Sequence, residues 1–159
     1  MMIEKGQTVP AVDIFEATPE GPKPANTGEL LKGKKTVLFA VPGAFTPTCS
    51  AKHLPGFVEN LDALKAKGID QVACMSVNDA FVMDAWGKSA NAQGITMLAD
   101  GNGSFTEALG LEMDGTGFGM GKRSQRFALI VENGQATEVL VEEPGAFEVS
   151  SAEYVLSKL

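Results

Sequence analysis

A chain of 159 residues, 44% hydrophobic and 21% charged, has the size and make-up of one globular domain, 1–159, that needs no disulfide or metal staple. Its formal net charge of −7 excludes nucleic acid and anionic membrane as expected partners, because both need basic patches. Two cysteines, Cys49 and Cys74, and one histidine, His53, form no disulfide framework, CxxC pair or zinc set, so neither metal nor cofactor is expected.

In chain order, the first third is rich in Pro and Gly (Pro10, Pro19, Gly21, Pro22, Pro24, Gly28) and reads as short extended segments and turns. Within it, Val12 to Glu16 alternates loosely as a short edge strand. Thr36 to Val41 is a nearly continuous apolar run, the pattern of a strand buried on both faces. Pro42-Gly43 ends it, and a loop runs through Pro47. Phe57, Leu61 and Leu64 then recur at helical spacing up to a Gly68 cap, with Pro55 inside the pattern as a kink or interruption. Gln71 to Val77 is a second buried strand, after which Asn78 or Asp79 caps a helix carrying Phe81, Val82, Ala85 and Trp86. Ile95 to Leu98 is a short strand, and Ser104 to Leu109 a short helix closed by Gly110. Gly115 to Gly121 has no period and reads as a loop. Arg126 to Glu132 and Gln135 to Val141 flank Asn133-Gly134, a strong hairpin signal. Ser150 or Ser151 caps a terminal helix with Val155, Leu156 and Leu159. Strands alternating with helices predict an α/β fold, and the closing hairpin makes its central sheet mixed. A thioredoxin-like sandwich flanked by helices, with an N-terminal extension and a C-terminal hairpin plus helix, has this order.

No window approaches the roughly 18 apolar residues of a membrane span, and Met1 to Gln7 contains no signal-peptide core. The expected compartment is the cytoplasm, which keeps thiols reduced.

The chemistry concentrates around Cys49. The loop leaving the C-terminal end of a buried strand is where ligands bind in such sheets. Cys49 falls in the first turn of the following helix, where unpaired N–H groups and the helix dipole favour a thiolate. Ionisation alone raises a thiol's rate at neutral pH by at most a few tens-fold, and the accompanying loss of nucleophilicity offsets part of that. A fast reaction with an O–O bond needs donors that stabilise charge on the departing oxygen. Thr46 supplies a hydroxyl three residues before Cys49, and Pro42 and Pro47 stiffen the loop against water. The local sequence lacks a cation, which has to come from elsewhere.

Pro42-x-x-x-Thr46-x-x-Cys49 matches the peroxiredoxin signature Pro-x-x-x-Thr/Ser-x-x-Cys. VPGAFTPTCSAKHLPGF (Val41 to Phe57), CMSVNDAFVMDAWGK (Cys74 to Lys88) and RFALIVENG (Arg126 to Gly134) resemble the peroxiredoxin 5 and plant type II subfamily. The resemblance spans nearly the whole chain. It implies a thiol peroxidase, an antioxidant enzyme that reduces hydrogen peroxide and organic hydroperoxides. Cys49 would be its peroxidatic cysteine, Thr46 the donor to bound peroxide and Pro42 the shield of the thiolate. Arg126 would be the cation that stabilises thiolate and peroxide, with Arg123 in the preceding loop as the alternative. A homodimer is implied as well. Some relatives carry a resolving cysteine near the region that is Glu148 to Ser151 here, and this chain has none. The resemblance puts Cys74 in the core, so a Cys49 sulfenic acid would be recycled by an external thiol, glutathione with glutaredoxin or thioredoxin.

Other readings stand beside this one. His53, four residues past Cys49, is read as structural, a donor steadying the chain near Pro55, rather than as a base. Phe45, Phe118 and Met120 suit an apolar pocket mouth or a dimer face. A thiol–disulfide oxidoreductase normally needs the absent second cysteine of CxxC. A redox sensor does not require the full set of Pro42, Thr46, Cys49 and Arg126.

Overall fold

The computed structural model describes residues 1–159. In its first half lie β1 (Asp13–Thr18), β2 (Gly21–Asn26), α1 (Thr27–Leu31), β3 (Lys35–Ala40), a π-helical turn (Cys49–His53), α2 (Leu54–Glu59), α3 (Leu61–Ala66) and β4 (Gln71–Ser76). There follow α4 (Ala80–Ser89), β5 (Thr96–Ala99), α5 (Ser104–Leu109), β6 (Glu112–Asp114), a 3-10 turn (Thr116–Phe118), β7 (Lys122–Ser124), β8 (Phe127–Glu132), β9 (Gln135–Val141) and α6 (Ala152–Ser157).

Seven strands form one sheet in the order β2-β1-β5-β4-β3-β8-β9. β3, β4 and β5 are parallel, while β8 beside β3 and β1 beside β5 run antiparallel, so the sheet is mixed as expected. The apolar run of β3 is explained by burial on both faces. Val37 and Phe39 point into a cluster with Phe57, Leu64, Met83, Trp86 and Val155. Leu38 and Ala40 point the other way, towards Ile14, Phe105, Leu109 and Leu129. Thus α2, α3, α4 and α6 cover one face and α5 the other, the helix-flanked thioredoxin-like arrangement. The N-terminal extension is pinned to the second side, with Ile3 N–H donating to Leu109 O and Gly6 N–H to Ala136 O, at 2.8 and 2.7 Å. Asn133 (φ 48°) and Gly134 (φ 81°) turn β8 into β9. Two consecutive positive φ values fit the right-handed twist of a hairpin, and Asn-Gly is the pair that tolerates them.

One local expectation needs correction, and three gain detail. β1 is not an edge strand, because part of the proline-rich stretch, expected as short extended segments and turns, forms β2 outside it. Pro22 and Pro24 cost no ladder bond there, an edge being where missing N–H groups are tolerated. The helical segment after Cys49 is interrupted, one of the two outcomes expected from Pro55, into a π turn, α2 and α3 in succession. Pro55 lies near the start of α2, and the widened turn before it, closed by Leu54 N–H to Cys49 O, makes room for a ring that a regular helix rejects. Helix α4 buries Ala80, Met83, Trp86 and Gly87, and leaves Phe81 at 70% exposure. Finally, the glycine-rich loop includes the 3-10 turn and is closed at its base by pairing of β6 with β7.

Candidate active site

The segment from Val41 to Cys49 leaves the C-terminal end of β3 in the middle of the sheet. Val41 N–H still bonds Met75 O of β4 at 3.1 Å, so the loop starts from a fixed point. The next anchor is Asn78, just beyond the adjacent strand. Its Oδ1 accepts from Ala44 N–H at 3.0 Å and from the Ser76 hydroxyl at 2.6 Å. Phe45 follows with φ 63°, a left-handed conformation unusual for an aromatic residue and one that only a well-held loop sustains. The chain becomes helical at Pro47, a position where proline's missing N–H costs nothing. Cys49 therefore lies in the first helical turn, as expected. On its far side, Trp86 Nε1–H from α4 donates to Ser50 Oγ at 3.0 Å.

Cys49 is fully buried. Arg126, the residue before β8, brings its Nη2–H to 3.1 Å from Cys49 Sγ. This is the cation missing from the local sequence. Arg123 instead gives its Nε–H to Met120 O at 2.9 Å and lies against Gly43. Thr46 is in the same loop, its hydroxyl donating to Gly43 O at 2.7 Å. Pro42, Thr48 and Arg126 line a pocket of about 350 Å³ together with Glu112, Gln125, Glu142 and Glu143. Phe45, Phe118 and Met120 do not line this pocket. Phe45 and Phe118 lie exposed on the surface.

Behind Arg126 lies a second layer. The other guanidinium nitrogen, Nη1, is 2.8 Å from His53 Nδ1, and His53 Nε2 is 2.9 Å from Ser150 O. The imidazole is enclosed by Phe39, Phe57 and Phe147, with ring centroids 4.9, 5.7 and 5.0 Å away. Burial, and then the Arg126 charge, bring its pKa from an ordinary 6.5 down to about 3. Ser150 is held in turn by Glu142, whose Oε2 accepts from Ser150 N–H at 2.9 Å, Ser150 Oγ–H at 2.7 Å and Glu148 N–H at 2.6 Å. Burial pushes the Glu142 carboxyl up, but these hydrogen bonds outweigh it and hold the group below its usual range.

Cys74 sits mid-strand in β4, paired with Phe39 of β3 and fully buried. Burial, and secondarily the nearby Cys49, push its thiol well above the ordinary range. No three His, Cys, Asp or Glu side chains cluster where they would hold a metal, and no helix is long and apolar enough to cross a membrane.

Pro42, Thr46, Cys49 and Arg126, singled out in the sequence, converge at this loop and pocket. Sequence reasoning missed what holds them. The sequence offers Asn78 and Asp79 as alternative caps, yet Asp79 caps α4 through Val82 N–H, and Asn78 grips the Cys49 loop instead. His53 does not steady the Pro55 turn through its ring but faces Arg126. The one available signal was its place four residues after Cys49, one helical turn on. Nothing local marks Glu142 or Ser150, because their contacts exist only once β9 and the segment after it fold back.

The Redoxin family model matches residues 4–156. Peroxiredoxin-2B of Arabidopsis thaliana is 51% identical over 136 residues, 85% of this chain and 84% of its own length. The crystal structure of reduced Prx3 from Vibrio vulnificus in complex with H2O2 is 58% identical, with a TM-score of 0.95 and 99% of both chains covered. The Plasmodium falciparum antioxidant protein, a 1-Cys peroxiredoxin, is 32% identical over 96% of each chain, with a TM-score of 0.91.

Proposed function

The chain belongs to the Redoxin family as a peroxiredoxin, a thiol-dependent peroxidase, and from that premise we propose that Cys49 is its peroxidatic nucleophile and that an external thiol resolves it. The observation that carries this reading is the 3.1 Å approach of Arg126 Nη2 to Cys49 Sγ. A fixed cation at that distance favours the thiolate and stays in place for the negative charge that develops on the peroxide oxygens. Sulfur attacks one oxygen of ROOH, an S–O bond forms and the O–O bond breaks. The second oxygen leaves as ROH after taking a proton, and Cys49 becomes a sulfenic acid. Thr46, in the same loop as Pro42 and Thr48, donates its hydroxyl to the bound peroxide on exchange from Gly43 O. Pro42 walls the thiolate from bulk water.

The one-cysteine cycle is supported by the position of Cys74. It is buried at the centre of the sheet, and the chain contains no third cysteine. The sulfenic acid is then attacked by an external thiol, releasing water and leaving a mixed disulfide. A second thiol completes the reduction. Glutathione with glutaredoxin, or thioredoxin, supplies these equivalents in the cytoplasm. The printed 1-Cys description of the Plasmodium falciparum relative agrees with this cycle. The exposed rings of Phe45, in the Cys49 loop, and of Phe118 suit a homodimer, which sedimentation analysis tests directly.

Stopped-flow oxidation by hydrogen peroxide, with the modified thiol located by mass spectrometry, tests the reading. A rate far above that of a simple thiolate, confined to Cys49, is expected. After one equivalent of peroxide, glutathione should add its mass at Cys49 with no Cys49–Cys74 disulfide. A rate no better than free thiolate would leave a redox sensor as the better description.

A further inference from the structure

We propose that His53 is a positioning residue for peroxide reduction: its neutral imidazole takes a hydrogen bond from one prong of the Arg126 guanidinium and thereby aims the other prong at Cys49. The inference rests on the roles given above to Cys49 and Arg126.

Guanidinium nitrogens only donate. The 2.8 Å contact between Arg126 Nη1 and His53 Nδ1 therefore requires Nδ1 to be bare and to accept. The ring's single proton then sits on Nε2, where Ser150 O accepts it at 2.9 Å. One tautomer satisfies both contacts, and protonation of Nδ1 would set a proton against a cation. The surroundings enforce neutrality, since the ring is fully buried among Phe39, Phe57 and Phe147. His53 is consequently no general base for the peroxide: its one lone pair is already engaged.

Nη1 and Nη2 belong to one rigid planar group, so fixing the first fixes the direction of the second. The grip is completed at the main chain, where Glu142 N–H donates to Arg126 O at 3.0 Å. The Glu142 carboxylate at the same time holds Ser150 through its N–H and hydroxyl. A closed circuit thus runs from Arg126 through His53, Ser150 and Glu142 back to Arg126. It ties the thiol to the segment before α6. Core packing alone would not account for this pairing, since an apolar side chain suits an aromatic cage better than an imidazole that must find two polar partners.

Three full-length variants separate positioning from packing. In His53→Asn, the side-chain oxygen falls where Nδ1 was and can accept from Arg126. In His53→Gln, the amide reaches towards Ser150 and leaves Nη1 without its acceptor. His53→Leu keeps bulk and loses both contacts. Gln and Leu are expected to lose about ten- to a hundredfold in the rate of Cys49 oxidation by hydrogen peroxide, the scale of a misaimed catalytic group. Asn should recover most of the rate lost by Leu. Rates that fall together in all three in step with melting temperature, or a Leu variant that keeps the rate, would overturn the proposal. Nitrogen NMR of the wild-type chain, whose only histidine is His53, needs no variant to fold. A neutral ring protonated at Nε2 is expected at pH 7, and an imidazolium or an Nδ1–H tautomer would overturn the proposal equally. Slow oxidation of the wild type itself would instead count against the peroxidase reading of Cys49. A fast wild type with slow Arg126→Lys and fast His53 variants would remove His53 alone.

Discussion

Cys49 and Cys74 are both fully buried and both free, so exposure does not distinguish them. What differs is the neighbour in contact: Arg126 reaches Cys49 Sγ, whereas Cys74 has a thiol pushed up by burial and no hydrogen-bond partner that would stabilise its anion. Cys49→Ser should therefore abolish peroxide reduction without unfolding the protein. Cys74→Ser should cost about 1–3 kcal/mol in urea unfolding, because it buries a hydroxyl in an apolar cluster, while the rate of Cys49 oxidation stays close to wild type. Equal loss of activity in both folded variants would sink the one-cysteine cycle. Arg126→Lys is a sharper probe, since lysine keeps the charge but cannot present two prongs at once to His53 and Cys49. A loss of about a hundred- to a thousandfold in the peroxide rate is expected, the usual cost of removing one preorganised donor. Stopped-flow measurement at saturating pH would detect it.

Among the elements, the Cys49 loop and the helix after it do most to set the geometry. The π turn carries Cys49 at one end and His53 at the other, so the same local widening presents both side chains to Arg126. Pro55 explains why the widening falls there. Asn78 fixes the other side of the loop by accepting from Ala44 N–H and Ser76 Oγ–H. Asn78→Ala leaves the buried Ser76 hydroxyl and the Ala44 amide without that acceptor. A destabilisation of about 1–3 kcal/mol is expected, measurable by urea unfolding. A slower Cys49 oxidation should accompany it, because the left-handed Phe45 and the Thr46 hydroxyl then lose their fixed starting point. An unchanged rate in a destabilised variant would show that the loop holds its shape without Asn78.

For the molecule as a whole, the buried circuit behind Arg126 makes folding sensitive to acid. His53 has its pKa depressed from 6.5 to about 3 in the folded protein. Between those values the unfolded chain binds the proton and the native state does not, so stability rises with pH across this window. The contribution is complete above about pH 6.5 and lost towards pH 3, amounting to about 5 kcal/mol at most. Glu142, also held below its usual range, adds stability of the same sign that disappears as pH falls through its own folded value. Set against a typical total of about 5–15 kcal/mol, these losses remove a substantial share of the stability as pH falls towards 3. Urea midpoints should be flat above about pH 6.5 and fall steadily below it, with a shallower upper limb in His53→Leu. A stability maximum near pH 4 would contradict this.

By itself the sequence determined those features whose physics is local. Alternate burial of Val37, Leu38, Phe39 and Ala40 follows from an unbroken apolar run, and the β8–β9 turn from Asn133-Gly134. Pro42, Thr46 and Cys49 are readable together because they share one loop eight residues long. Pro55 announced an irregular helix, though not that a π turn would absorb it. Tertiary structure alone decided the remainder, for the partners lie far apart along the chain. Arg126 is 77 residues from Cys49, and Ser150 is 97 from His53. Hydrophobic periodicity reports which side of an element is buried, not which polar group awaits it there. The resemblance already favours Arg126 over Arg123; what brings Arg126 onto the sulfur is sheet register, which sets β8 antiparallel beside β3. The place of β2 outside β1 was likewise a matter of pairing. An edge asks little of a strand's own residues, so a proline-rich segment could occupy it without any strand-like pattern.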